Sequence, residues 1–119
     1  MVGFRQLKVW EKAHALTLDV YHATRTFPRD ELYGLTAQMR RAAASVPANI
    51  AEGCCRGSKR DVSRFLWNAL GSASELEYHL LLASDLKLVD EVALHRLDKR
   101  VAEVKRMLTG LIKRLMSDV

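Results

Sequence analysis

The sequence contains few residues that interrupt or crosslink a chain. Two prolines and six glycines in 119 residues are too few for a disordered or linker-rich protein. Its two cysteines, Cys54 and Cys55, are adjacent, so they form no disulfide framework and lack the spacing of zinc ligands. Because so few cysteines are typical of a reducing compartment, we expect a cytoplasmic location.

Long apolar runs and two-residue alternation are also missing. No stretch approaches the ~20 apolar residues that span a bilayer, and the N-terminal stretch MVGFRQLKVWEKAHAL lacks the apolar core of a signal peptide. We therefore expect no membrane partner. Since no segment alternates with period two, no β-sheet is expected either.

Motifs of catalytic or metal-binding chemistry are scarce. Di-iron bundles use two Glu-x-x-His motifs, whereas this sequence has one, Glu11 with His14. There is no nucleophile elbow and no Walker loop. We expect no enzymatic activity, no metal and no cofactor. The cysteines leave two interpretations open: buried structural thiols, or reactive thiols whose pKa is lowered by Arg56 and a helix end.

What the sequence does contain is four long stripes of apolar residues at spacings of three and four. This spacing predicts helices. The predicted helices cover roughly residues 6–26, 30–55, 58–86 and 90–116. Pro28 ends the first helix, and Ser58 and Asp90 are suited to cap the third and fourth. Because the connections are short, the predicted fold is an all-α, antiparallel up-down-up-down four-helix bundle in one domain, residues 1–119.

A proline-containing stretch, SVPANIAEGCCRGSKR, lies within the second predicted helix. Pro47 lacks the N–H that would bond the carbonyl of Ala43, so we expect a kink and a free acceptor there. A set of polar residues falls near this point or on the facing third helix. These residues are Gln38, Arg41, Asn49, Glu52 and Glu75. They either satisfy the kink and fix helix register or line a polar pocket. Glu52 is spaced to pair with Arg56, and Glu75 is expected to pair with Arg40 or Arg41.

Apolar residues also lie outside the four stripes. In the first helix and around the end of the third they are Leu7, Trp10, Leu18, Tyr21, Leu81, Leu82, Leu86 and Leu88. They either widen the core or form a second buried surface between subunits. We expect a homo-oligomer.

Positive charge is concentrated near the C-terminus. The chain has a net charge of +5, and Lys99, Arg106 and Lys113 are spaced by seven, which places them in one stripe. Further candidates flank this stripe or surround the turn into the third helix. They are Arg96, Arg100, Lys105 and Arg114, and Arg56, Lys59, Arg60 and Arg64. The stripe favours contacts to RNA or DNA phosphates with little sequence selectivity. The alternative is a solvated face on a protein-interaction scaffold.

Three blocks of the sequence, FRQLKVWEKA, FPRDELYGLTAQMRRAAASVPANIAEGCCRGS and GSASELEYHLLLA, resemble a bacterial four-helix-bundle family. The family is named for proteins encoded within 23S rRNA intervening sequences. The resemblance extends from about Phe4 to Leu115. Its most specific block carries Gln38, Arg41, Ser45, Asn49, Ile50, Glu52 and Gly53.

The resemblance implies an all-α subunit that assembles into a ring-like homopentamer. The accessory protein of diversity-generating retroelements is similar, and there a basic pentamer engages nucleic acid and a reverse transcriptase. By resemblance, a protein partner of that kind and a preference for RNA are expected. No catalytic residues are implied.

Overall fold

The computed structural model describes residues 3–117, and four α-helices account for most of them. The helices are α1, Lys8–Ala23; α2, Leu35–Gly53; α3, Lys59–Asp85; and α4, Glu91–Ser117. Short 3-10 turns cover Phe4–Gln6, Thr24–Thr26 and Arg29–Glu31. Residues 3–117 contain no β-strand. The all-α prediction is confirmed.

The helices pack in a closed cycle around one core. α1 contacts α2 and α4, and α3 contacts the same two helices. Each helix contributes fully buried side chains, among them Leu16, Met39, Leu76 and Leu97. Burying a side chain of this size contributes roughly 1.5–3 kcal/mol. The result is an elongated bundle of 46 × 23 × 20 Å.

Side-chain caps define the starts of the two long helices. Ser58 Oγ accepts the backbone N–H of Asp61 at 3.2 Å, and Asp90 Oδ1 accepts the backbone N–H of Ala93 at 2.8 Å. Each bond satisfies an amide that has no partner within the helix. Consequently α3 and α4 begin within one residue of their predicted starts.

The second helix starts later than predicted, at Leu35 rather than at residue 30. Arg29–Glu31 form a 3-10 turn, and Gly34 has a non-helical backbone with φ −108° and ψ −112°. Glu31 lies before the helix and accepts the backbone N–H of Leu35 at 3.3 Å through Oε1. Glu31 therefore acts from outside the helix rather than within its first turn. The first predicted helix, 6–26, likewise shortens to Lys8–Ala23 because 3-10 turns flank it.

The carbonyl that Pro47 leaves without an intrahelical donor is satisfied from another helix. α2 continues through Pro47 to Gly53. Thr17 Oγ1 on α1 lies 3.0 Å from the carbonyl oxygen of Ala43 and 2.9 Å from that of Ala13, so its hydroxyl proton is shared between two acceptors. The carbonyl of Ala43 is thus the acceptor that Pro47 was expected to leave open, but a buried threonine of α1 bonds it, and not Asn49 or Glu52.

Gly53 allows α2 and α3 to approach closely at the end of α2. A Cβ atom at Gly53 would lie 3.1 Å from the Cβ of Phe65 and 3.6 Å from the carbonyl oxygen of Val62. A side chain would therefore push the two helices apart, which explains the glycine at a buried position.

We predict that replacing Thr17 with valine destabilises the protein only while Pro47 is present. Thr17→Val leaves the Ala43 carbonyl without its donor and should cost about 1–3 kcal/mol in the free energy of unfolding. In a Pro47→Ala background the new backbone N–H can bond that carbonyl, so the cost should shrink. Urea denaturation of the four variants measures the difference.

A matched control is Thr36→Val. Thr36 is buried, and its hydroxyl has no hydrogen-bond partner among residues 3–117, so its loss should be neutral or stabilising. An equal cost of Thr17→Val in both Pro47 backgrounds would contradict the assignment.

Candidate nucleic-acid interface

The predicted basic stripe lies on the outer face of α4. Lys99, Arg106 and Lys113 are all exposed. Their spacing of seven residues separates neighbours by about 10.5 Å along the helix axis. Within residues 3–117 no acidic side chain forms an ion pair with any of the three. Their charges are therefore directed to solvent.

Two of the flanking basic residues are paired with neighbouring helices instead. Arg100 donates to Asp19 on α1, and Lys105 Nζ lies 2.9 Å from Glu77 Oε1 on α3. These pairs lie on the two sides of the stripe. Their charge is already neutralised, so Arg100 and Lys105 are weaker candidates for phosphate contacts than the sequence indicated.

Four more of the candidate basic residues are exposed, two on α4 and two at the turn into α3. Arg96 and Arg114 lie on α4, and Arg60 lies in the first turn of α3. None of these three has an acidic partner in the part of the chain that the structure describes. Lys59, also exposed, is the first residue of α3.

The two outer arginines of the turn cluster flank one aromatic ring. The guanidinium carbon of Arg56 lies 4.5 Å from the Phe65 ring centroid, and that of Arg64 lies 4.9 Å from it. Arg56 also pairs with Glu52 at 3.7 Å, and Arg64 with Asp61 at 4.0 Å. The predicted Glu52–Arg56 pair is present. Because acids and a cation–π contact hold both arginines, this cluster offers less free charge than α4.

The five predicted polar residues do not form one cluster. Asn49 Nδ2 donates to the carbonyl oxygen of Ser45 at 2.8 Å and to Ser45 Oγ at 3.0 Å. Ser45 Oγ lies 2.8 Å from Ser72 Oγ on α3. The sequence did not indicate Ser72 as a member of this chain of hydrogen bonds, because a serine on a helix face gives no signal of its partner. Gln38 and Arg41 are exposed and remain apart from this chain of hydrogen bonds.

The expected pairing of Glu75 with Arg40 or Arg41 is wrong. Glu75 Oε2 lies 3.8 Å from Nε2 of His79, one turn along the same helix. Arg40 instead donates through Nε to Thr24 Oγ1 at 2.9 Å, and its guanidinium carbon lies 4.8 Å from the Tyr21 ring centroid. Arg40 thus links α2 to the end of α1.

The two cysteines differ in exposure, and the thiol of Cys54 is not activated. Cys54 is half-buried and Cys55 is exposed. Burial raises the pKa of the Cys54 thiol, and the neighbouring Cys55 raises that pKa further. The lowered thiol pKa that Arg56 could have produced is therefore absent at Cys54.

The single Glu-x-x-His motif points to solvent. Glu11 and His14 are exposed, and the His14 ring stacks on Trp10 with 5.0 Å between centroids. Across residues 3–117 no group of three or more His, Cys, Asp or Glu side chains is placed to hold a metal ion. In the same region no helix is both long enough and apolar enough to cross a membrane.

A sequence profile identifies the family. The profile described as 23S rRNA-intervening sequence protein matches residues 5–110. The chain belongs to this family. No curated protein matches the sequence.

A solved structure is similar to this member of the 23S rRNA-intervening sequence proteins. It is the crystal structure of a protein of unknown function from the S23 ribosomal protein family of Bacteroides thetaiotaomicron. The two are 23% identical, and the alignment covers 88% of this chain and 98% of that one with a TM-score of 0.80. At this identity the similarity shows the fold alone.

We predict that Cys54 reacts more slowly with thiol reagents than Cys55. Only the thiolate is nucleophilic, and the raised pKa of Cys54 reduces its thiolate fraction near pH 8. Iodoacetamide labelling of the Cys54→Ser and Cys55→Ser variants measures each thiol separately. Equal rates in urea provide the control, and faster native labelling of Cys54 would contradict the prediction.

Proposed function

We propose that this protein is a non-enzymatic homo-oligomer that binds RNA through phosphate contacts on the outer face of α4. The observation that carries the proposal is the row formed by Lys99, Arg106 and Lys113, exposed and without acidic partners across residues 3–117. Charges of this kind release counterions from a nucleic-acid backbone when they bind it.

Low sequence selectivity follows from the composition of this face. α4 contains no Phe, Tyr or Trp, and stacking on such side chains is how proteins commonly hold unpaired bases. Lysine and arginine contacts to phosphate position a strand without reading its sequence. The resemblance to the retroelement accessory protein favours RNA over DNA as the ligand.

The exposed apolar side chains support assembly into an oligomer. On one side, Tyr21 and Tyr33 border a groove of about 800 Å³ along α2, and Tyr33 is 92% exposed. On the other side, Tyr78, Leu81 and Val92 are exposed on α3 and α4. The two surfaces differ, so pairing one with the other is head-to-tail and generates a ring when the rotation closes. The resemblance suggests five subunits.

A second candidate function is that of a protein-interaction scaffold. The same aromatic groove favours it, because exposed tyrosines are common at protein interfaces. A partner such as a reverse transcriptase, suggested by resemblance, would then occupy the oligomer's surface, and the basic row would serve solubility.

The RNA proposal predicts a large, salt-sensitive loss of affinity in the variant Lys99→Ala, Arg106→Ala, Lys113→Ala. Each single-strand phosphate contact contributes about 0.7 to the slope of log affinity against log salt. Removing three should lower the slope by about 2 and weaken binding at about 50 mM salt by up to roughly 500-fold. Fluorescence anisotropy with a single-stranded RNA measures both quantities.

The matched control removes three other exposed charges, in the variant Arg25→Ala, Arg29→Ala, Lys87→Asn. These residues lie in the connections that follow α1 and α3 and not on α4, and asparagine suits the left-handed backbone of Lys87 (φ 61°). The control should retain most of the affinity. Unchanged RNA binding in the α4 variant, or no RNA binding by the parent protein together with a co-purifying protein, would favour the scaffold.

The oligomer predicts that Tyr33→Glu dissociates the assembly. A carboxylate buried in an apolar contact is costly unless it is paired, so the mass measured by light scattering should fall toward that of one subunit. Gln6→Glu adds a similar charge at another exposed position and should leave the mass unchanged. A parent protein that is already monomeric would overturn this part of the proposal.

A further inference from the structure

Gly110 occupies a helical position that nothing in the packing requires to be glycine. It lies in the last third of α4 and has no positive φ. A Cβ atom added there would meet only Arg114 Nη1, at the ordinary contact distance of 3.5 Å. Glycine inside a helix costs about 1 kcal/mol relative to alanine. The residue therefore weakens α4 without improving its packing.

Two clefts on the surface meet at this glycine. One, of about 330 Å³, lies between the start of α1 and α4, and the other, of about 360 Å³, lies on the outer face of α4. Gly110 and Arg106 line both. The two clefts are therefore neighbours on the basic face of α4, and we call the region around residue 110 that they share the Gly110 notch.

The notch combines cations with an apolar wall. Lys8 and Arg114 line it on the α1 side, and Lys113 lines it on the outer face. Leu7 and Met107 form part of the wall between α1 and α4. Arg114 reaches over Gly110, because its Nη1 lies 3.5 Å from the position that a Cβ atom at residue 110 would occupy.

We infer that the Gly110 notch is a subsite for one backbone phosphate of a bound nucleic-acid strand, held mainly by Arg106 and Arg114. This inference rests on the proposed function and adds to it the place where the strand approaches closest. Guanidinium groups bind phosphate oxygens in a two-pronged geometry. A side chain at residue 110 would occupy the space that the phosphate needs, and the apolar wall suits the adjoining sugar.

The test is a double-mutant cycle on RNA binding. Gly110→Leu fills the notch with a residue of high helix propensity, and Arg114→Gln removes the neighbouring charge. Each change should lower the slope of log affinity against log salt by about 0.7 and weaken RNA binding at about 50 mM salt by roughly eightfold. This is the effect expected for the loss of one single-strand phosphate contact. The double variant should lose no more RNA affinity than either single variant, because both changes remove the same phosphate contact.

Two controls separate this effect from changes in the helix itself. Gly71→Leu makes the same substitution inside α3, at an exposed glycine with no atoms within 4 Å of an added Cβ, and should leave RNA binding unchanged. Lys99→Gln lies about 16 Å from residue 110 along the helix axis, so its effect should add fully to that of Gly110→Leu. Thermal unfolding and light scattering report folding and assembly of each variant.

The outcomes distinguish a failure of the phosphate subsite from a failure of the proposed function. Suppose that the triple α4 variant still loses RNA affinity. A parent-like salt slope in Gly110→Leu, or additive losses of affinity in the cycle with Arg114→Gln, would then overturn the phosphate subsite and leave the proposed function in place. Parent-like binding in the triple variant would overturn the proposed function and the notch together. In a separate titration with inorganic phosphate, a loss confined to phosphate and absent for RNA would show a site for free anions and would also overturn the strand subsite.

Discussion

The burial of one apolar stripe on α4 determines what the rest of that helix can do. Leu97, Val101, Val104 and Leu108 are almost fully buried against the other helices, which fixes the rotation of α4 about its own axis. With about 100° between successive residues, Lys99 and the residues seven and fourteen positions later must then face outward. The exposed cations are thus a consequence of core packing. A change in the core that rotated α4 would move this whole row.

The same rotation also sets how far the other basic residues of α4 lie from the row of Lys99, Arg106 and Lys113. Arg100 and Lys105 lie toward the sides, where they reach Asp19 and Glu77 on adjacent helices. Exposed pairs of this kind contribute little to stability, but they neutralise charge that would otherwise widen the basic face. The free charge of α4 is therefore left to the row of Lys99, Arg106 and Lys113 together with Arg96 and Arg114.

The sequence predicted the features that depend on periodicity or on a local cap. The all-α fold, the starts of α3 and α4 and the outward direction of Lys99 follow from spacing within one helix. The partners of Thr17 and Ser72 could not be predicted, because they depend on how far α2 slides and turns against α1 and α3. The start of α2 was misplaced for a local reason. Glu31 binds the first helical amide from a 3-10 turn, and sequence alone does not separate that turn from a helix.

Charge and apolar surface act against each other in the proposed assembly. Each subunit has a net charge of +5, so bringing copies together through their exposed tyrosines also brings like charges together. Salt screens that repulsion over about 10 Å at 0.1 M, and bound phosphates neutralise it directly. By thermodynamic linkage, a ligand that binds the assembled form more tightly than the free subunit must also favour assembly by the same factor. Under the proposed function, nucleic-acid binding and oligomer formation are therefore coupled through the charge of α4, even though that helix face and the aromatic groove along α2 share no residue.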